Sequence, residues 1–286
     1  MKQNFKNKLK INLFDESFVH VDKSNHGMVG QAPSNFEWIR DNTTSNDKIS
    51  VFTEDYIFAN LHQSNAILNV GWLIECREIA PFRYENFKFC SDKLDFVITH
   101  DQILLDEFPK KTRFAPFGGC WISKENRSIT TKEKLLSTIF SNKNFTSGHN
   151  LRHQVYNTLG RSIDFFGGGC GKKLKEKDSA IRDYKFSIVI ENSNVNNYFT
   201  EKLLDCFAYG TVPIYYGCPN IANFFDAEGI ISFNNVEQLE QIVRTLNIDM
   251  YTSRINAIKR NFDLVSNFDI PEDWIFENIF KLTEIK

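Results

Sequence analysis

The stretch Tyr184–Phe233, YKFSIVIENSNVNNYFTEKLLDCFAYGTVPIYYGCPNIANFFDAEGIISF, decides the fold. Its opening, Tyr184–Glu191, is almost unbroken in apolar and β-branched residues, the pattern of a strand covered on both faces in a parallel sheet. Thr200 then offers an N-cap, Leu203, Leu204, Phe207 and Ala208 share one helical face, and Gly210 offers a stop. Val212–Tyr216 reads as the next strand, Ile221–Phe225 as a short helix and Gly229–Phe233 as a further strand. Strand, helix and strand in succession are the signature of parallel α/β structure.

Working upstream, Leu135–Ser141 reads as a strand, Leu151–Leu159 as a helix and Ile163–Phe166 as a strand; downstream, Val236–Leu246 is helical. The first half repeats the theme with strands at Lys10–Phe14, Ile49–Thr53, Val70–Glu75, Asp95–His100 and Thr112–Phe117, and helical spacing in DQILLDEF after His100. Val19–Lys48 is polar and rich in Gly, Ser and Asn, which predicts a loop with a short helix near Phe36–Arg40. The polar stretch Ser123–Lys134 reads as a connection between domains. The expected organisation is an α/β chain of two domains with a cleft between them: residues 1–125, residues 130–270, and a last helix at 271–286 that crosses back to the first domain.

Composition narrows the function classes. With 34 Lys+Arg against 36 Asp+Glu, no charge excess points to nucleic acid or an anionic membrane as the main partner. The 42% hydrophobic content, including 27 Phe, supplies bulk for real cores. No segment approaches the roughly 20 uninterrupted apolar residues of a membrane span, and MKQNFKNKLKINLFDE lacks the apolar centre of a signal peptide, so a soluble, cytoplasmic protein is expected. The six cysteines are scattered without a C-x-x-C pair or His at zinc spacing, which predicts free thiols and no metal site.

The densest polar cluster in apolar surroundings is Glu191-Asn192-Ser193 at a strand's carboxyl end, followed by Tyr198 and Thr200-Glu201-Lys202 at a helix start. Ligands of open α/β sheets bind at such a crevice, where free N–H groups of a helix start attract phosphates. Lys202, at the second helical position, opposes the helix dipole and calls for a compensating anion or free solvation. A bound diphosphate is one such anion; a solvated helix start is the plainer reading of the tripeptide alone. Gly167–Lys172 fails as a phosphate loop, because Phe166 holds the first-glycine position and Lys173 replaces the Ser/Thr.

The order YKF, ENS, Y-x-TEK, GTVPIYYG and PNIANFF over about fifty residues resembles the donor-binding segment of the α1,3/α1,4-fucosyltransferases, glycosyltransferase family 10. Gly148–Phe166 looks like that family's basic helix and following strand. The resemblance implies two Rossmann-like domains facing across a cleft (GT-B), a GDP-fucose donor, an inverting and metal-independent transfer of fucose, and no cofactor beyond that donor. By position it implies that Arg152 and Lys202 neutralise the diphosphate, Glu201 holds the ribose hydroxyls, and Asn192 and Tyr198 contact the donor. The implied partners are a nucleotide sugar and a glycan or glycoconjugate acceptor, and the absence of an anchor fits a bacterial or viral source.

An inverting transfer needs a base for the acceptor hydroxyl. Glu75, closing the apolar run VGWLIE, stands where the resembling enzymes place a catalytic Glu, with Glu78 in reserve; a salt bridge from Glu75 to Arg77 is the structural alternative. Two further readings stay open: a GT-B enzyme using another nucleotide sugar, and a non-catalytic nucleotide-sugar or glycan-binding protein.

Overall fold

The computed structural model describes residues 8–15, 32–40, 48–59, 64–160 and 162–283. They fall into two compact units, one of residues up to Phe117 together with the segment from Ile270, the other Gly118–Asp269.

In the first unit the described strands are β1 (Leu9–Phe14), β2 (Phe36–Ile39), β3 (Ile49–Thr53), β4 (Leu68–Leu73), β5 (Phe96–Thr99) and β6 (Thr112–Phe114). They form a wholly parallel sheet in the order β2-β1-β3-β4-β5-β6. Helices α1 (Tyr56–Ala59), α2 (Pro81–Glu85), α3 (Phe87–Cys90) and α4 (Gln102–Glu107) connect them. Because side chains alternate along a strand, Phe14, Phe52, Leu73 and Val97 pack with Ile57, Tyr84, Phe87 and Leu104 on one face. Ile11, Val51, Val70, Trp72 and Ile98 pack on the other with Ile275, Ile279 and Phe280 of the terminal segment.

In the second unit the described strands are β7 (Lys134–Ile139), β8 (Asp164–Phe166), β9 (Tyr184–Ile190), β10 (Val212–Tyr216) and β11 (Ile231–Ser232). These are also all parallel, ordered β11-β10-β9-β7-β8. Helix α5 (Ser147–Leu159) follows β7, and α6 (Asp178–Ile181) precedes β9. Next come α7 (Glu201–Ala208), α8 (Val236–Thr245), α9 (Ile248–Thr252) and α10 (Ile255–Leu264), while α11 (Pro271–Asn278) returns the chain to the first unit. Phe186, Ile188 and Ile190 of β9 pack with Leu151, Val155 and Leu159 of α5. Val189 faces the opposite way, into Leu203, Leu204 and Phe207 of α7. The chain runs from β7 to β8 on one side and then to β9 on the other, so the order reverses between β7 and β9. That switch point opens a crevice at the carboxyl ends of the two strands.

Several expectations change. Phe36–Arg40 is not a helix; Phe36–Ile39 is an outer strand with Phe36 and Trp38 buried and Glu37 exposed, a period of two. The rest of the loop expected over Val19–Lys48 falls outside the described residues at 19–31 and 41–47. Strand β4 ends at Leu73, so Glu75 lies two residues beyond it instead of closing it. Ile221–Asn223 is a 3₁₀ turn, and the strand expected from Gly229 is shortened to Ile231–Ser232 by another at Ala227–Gly229. The polar stretch before β7 is tied to the end of α7. Ser128 N–H donates to Ala208 (3.1 Å), and the Lys132 ammonium donates to the Tyr209 carbonyl (2.7 Å) and the Thr211 hydroxyl (2.9 Å). No helix among the described residues is long and apolar enough to cross a membrane, and the six cysteines are free thiols.

Candidate functional site

Glu191 and Asn192 leave β9 at the switch point of the second unit. The Glu191 carboxylate is fully buried and accepts from the backbone N–H (2.9 Å) and hydroxyl (2.8 Å) of Thr200. Thr200 in turn caps α7, its hydroxyl accepting from Lys202 N–H at 3.3 Å. One buried carboxylate therefore ties the strand end to the helix start. Burial raises the Glu191 pKa, opposed by the Lys202 charge.

Helix α5 is brought against the same strand end by a close approach. Gly148 N–H donates to the Asn192 carbonyl at 3.1 Å, and a Cβ on Gly148 would lie 1.8 Å from the Glu191 carbonyl oxygen. Only glycine permits that distance. One turn on, Arg152 is 7% exposed; its Nε donates to the Ile190 carbonyl at 3.0 Å and its Nη2 to that carbonyl and to Asn192 Oδ1, the latter at 2.9 Å. Asn192 Nδ2 donates to the Tyr198 hydroxyl at 3.4 Å. Tyr198 is fully buried and Asn192 half-buried. Burial pulls the Arg152 pKa down, and Glu191, Glu201 and Tyr198 pull it up.

Lys202 does have compensating anions, and they are internal. Its ammonium lies 3.3 Å from Glu201 and 3.6 Å from Glu191. Glu201 is shared with Lys177 at 3.4 Å, and Lys177 also pairs with the buried Asp205 at 3.0 Å. Burial works to raise the Glu201 pKa, but Lys202 and Lys177, with hydrogen bonds from Thr200 and Lys202, hold it well below the usual carboxylate range. A permanently ionised carboxylate accepts hydrogen bonds only, which suits a pair of hydroxyls. Lys177 also lies over the face of Trp121, 3.9 Å from the ring centroid, and Trp121 is 50% exposed. His149, buried beside these cations, has its pKa lowered to about 4 by burial and by Arg152, Lys143, Lys202 and His153.

The structure thus brings Arg152, Glu191, Asn192, Tyr198, Glu201 and Lys202 together, and adds His149, Lys177 and Asp205. Lys177 sits in GKKLKEKDS, where charge without periodicity gives no means of choosing one lysine. His149 and Asp205 are hidden in helices whose polar residues looked ordinary.

In the first unit Glu75 is half-buried and Glu78 exposed. Arg77 does not need Glu75: its Nε and Nη2 donate to Asp101 at 2.7 and 2.9 Å. Asp101 also caps α4 by accepting from Leu104 N–H at 2.9 Å, and burial lowers the neighbouring His100 to about 4. Glu75 N–H donates to Glu54, a buried carboxylate that the sequence did not single out, at 2.7 Å.

Residues 129–257 match the family described as "Glycosyltransferase family 10 (fucosyltransferase) C-term". An α-(1,3)-fucosyltransferase, FucT, of Helicobacter pylori is 27% identical over 123 residues, 41% of this chain and 25% of that protein. The mouse 4-galactosyl-N-acetylglucosaminide 3-α-L-fucosyltransferase 9 is 31% identical over 157 residues, 51% of this chain and 42% of its own. The matches therefore span less than half the length of these curated relatives. A crystal structure of an α1,3-fucosyltransferase with GDP-fucose aligns with a TM-score of 0.57 over 94% of this chain and 92% of that one, at 15% identity. The fold is accordingly the α/β fold of the GT-B fucosyltransferases, and the chain resembles glycosyltransferase family 10, most directly over residues 129–257.

Proposed function

We propose that the protein transfers fucose from GDP-fucose to a hydroxyl of a glycan or glycoconjugate acceptor, with inversion and in an α1,3 linkage. The observation that carries this reading is the convergence of Arg152 and Lys202 around the Glu191–Asn192 strand end, inside the stretch matched by the family. Two fixed cations there suit the charge that grows on a departing diphosphate as the sugar becomes oxocarbenium-like. Arg152 is already fixed by three hydrogen bonds before any ligand arrives, so little reorganisation is needed at the moment of reaction. Glu201, locked in its charged form, takes the ribose hydroxyls, and Asn192, oriented by Arg152 and Tyr198, contacts the donor. Glu75 takes the proton of the acceptor hydroxyl. GDP-fucose is the ligand of the similar α1,3-fucosyltransferase structure, and the mouse relative is named for a 4-galactosyl-N-acetylglucosaminide acceptor.

The test is incubation of the purified protein with GDP-fucose and N-acetyllactosamine, in wild type and Glu75→Gln. The variant should keep its affinity for GDP-fucose and lose turnover by roughly 10²–10⁴-fold, the usual contribution of a general base. Full turnover in the variant removes Glu75 from this role. Binding of GDP-fucose with neither transfer nor hydrolysis in the wild type leaves a nucleotide-sugar binding protein instead.

A further inference from the structure

The carboxyl ends of β3 and β4 hold an arrangement that an ordinary turn does not require. Glu54, directly after β3, adopts φ +52°, a left-handed conformation that residues other than glycine seldom take. Its side chain is nevertheless buried, the residue being 4% exposed. One carboxylate oxygen accepts from the backbone N–H groups of both Ile74 and Glu75 at 2.7 Å; the other accepts from Arg83. Arg83 is fixed in turn by Asp55, through bonds of 2.7 and 2.8 Å. On the far side of the same residue, the hydroxyl of the buried Tyr84 donates to the Glu75 carbonyl. The Tyr84 ring lies under the Arg77 guanidinium, 4.7 Å from ring centroid to Cζ, and Arg77 is held by Asp101. Glu75 is thus gripped at its N–H by Glu54 and at its C=O by Tyr84. A strained backbone and a buried charge are spent on fixing one half-buried residue beyond a strand end.

We propose that Glu54 and Tyr84 are positioning residues that fix the backbone of Glu75 and so aim its carboxylate at the acceptor hydroxyl. This rests on the reading of Glu75 as the base. Glu54 grips as an acceptor: three donors converge on its two carboxyl oxygens, two amides on one and Arg83 on the other. The charged groups around it are Arg83, Asp55 and Glu75, with Arg77 and Asp101 beyond Tyr84. Burial, with a smaller push from Glu75, outweighs the pull of Arg83 and of the Glu75 and Ile74 amides and leaves the Glu54 carboxyl raised to about 7.

The experiment compares wild type, Glu54→Gln, Tyr84→Phe and Glu75→Gln in two measurements. The first is hydrogen exchange of the amides from Ile74 to Cys76, which needs no substrate. The second is kcat and KM with GDP-fucose and N-acetyllactosamine. Glu54→Gln and Tyr84→Phe should each speed that exchange and lower kcat by about 10- to 100-fold, the order expected for a misplaced catalytic group, with KM for GDP-fucose unchanged. Tyr84→Phe keeps the ring and its packing, so it carries the test if Glu54→Gln does not fold. Wild-type exchange, or wild-type kcat with quickened exchange, overturns the proposal. Wild-type turnover in Glu75→Gln overturns the base assignment instead, and quickened exchange in the other two variants would then mark a purely structural grip.

Discussion

Arg152 is placed to serve both structure and the proposed grip on a diphosphate. Its guanidinium is the buried partner of the Ile190 carbonyl, and the same group meets Asn192 at the strand end. Arg152→Lys keeps the charge but not the fork, so it should weaken GDP binding by about 10- to 100-fold, in line with the roughly 1.5–3 kcal/mol of a charged hydrogen bond, as read by calorimetry. Three cations, Arg152, Lys177 and Lys202, stand among three carboxylates, Glu191, Glu201 and Asp205, so the site is near balance before any ligand enters. The sequence exposed Lys202 as a cation lacking an anion at a helix start. It could not show that Glu191 and Glu201 supply that anion, because strand-end and helix-start carboxylates are brought together only by the fold. His149 gives a second prediction at this scale. Burial, then Arg152, Lys143 and Lys202, lower its pKa to about 4, against about 6.5 in an unfolded chain. The unfolded state therefore binds more protons between these values; the stabilisation is complete above about pH 6.5 and is lost as pH falls toward 4. Urea midpoints at pH 7 and 5 should differ less in His149→Gln than in wild type.

Helix α5 carries Arg152 to the site only because Gly148 lets its first turn touch the Glu191–Asn192 peptide. Gly148→Ala should force the helix back, destabilise the fold by about 1–3 kcal/mol in denaturant titration, and weaken GDP binding although no charge has changed. Normal affinity in that variant would mean that the close approach does not position Arg152. The helix itself was legible from Leu151 onward, but its first turn was not. SGHN has no apolar periodicity, and Thr146, whose hydroxyl caps the helix by accepting from His149 N–H at 3.2 Å, stood in polar sequence. Strands β3, β5, β9 and β10 were readable because burial on both faces leaves an apolar run. FEWI was misread because its short alternation lies in a polar region and Trp and Glu are as ordinary in helices as at a sheet edge.

At the scale of the whole chain, both units use the same parallel plan, and each reverses strand order once, between β1 and β3 and between β7 and β9. Glu54 follows one reversal and Glu191 follows the other. The terminal segment belongs to the first unit's core: Ile275, Ile279 and Phe280 are buried there, and Asp273 accepts from Ser34 N–H (2.7 Å) and hydroxyl (2.8 Å). Phe280→Ala should lower stability by about 3–5 kcal/mol in urea titration, as expected for an aromatic removed from a core. The Glu191–Lys202 cluster was legible because its motifs are contiguous over one strand–helix–strand unit. The Glu54–Glu75 grip was not, since its parts are separated by twenty-one residues and one depends on an unusual backbone angle. The central claim is that Arg152 and Lys202 together hold the diphosphate of a guanosine nucleotide sugar. It is tested most directly by calorimetric titration of GDP into wild type and into the Arg152→Ala, Lys202→Ala double variant. The account predicts saturable binding to the wild type and a loss of about 100-fold or more in the double variant; equal affinities in two folded proteins would contradict it.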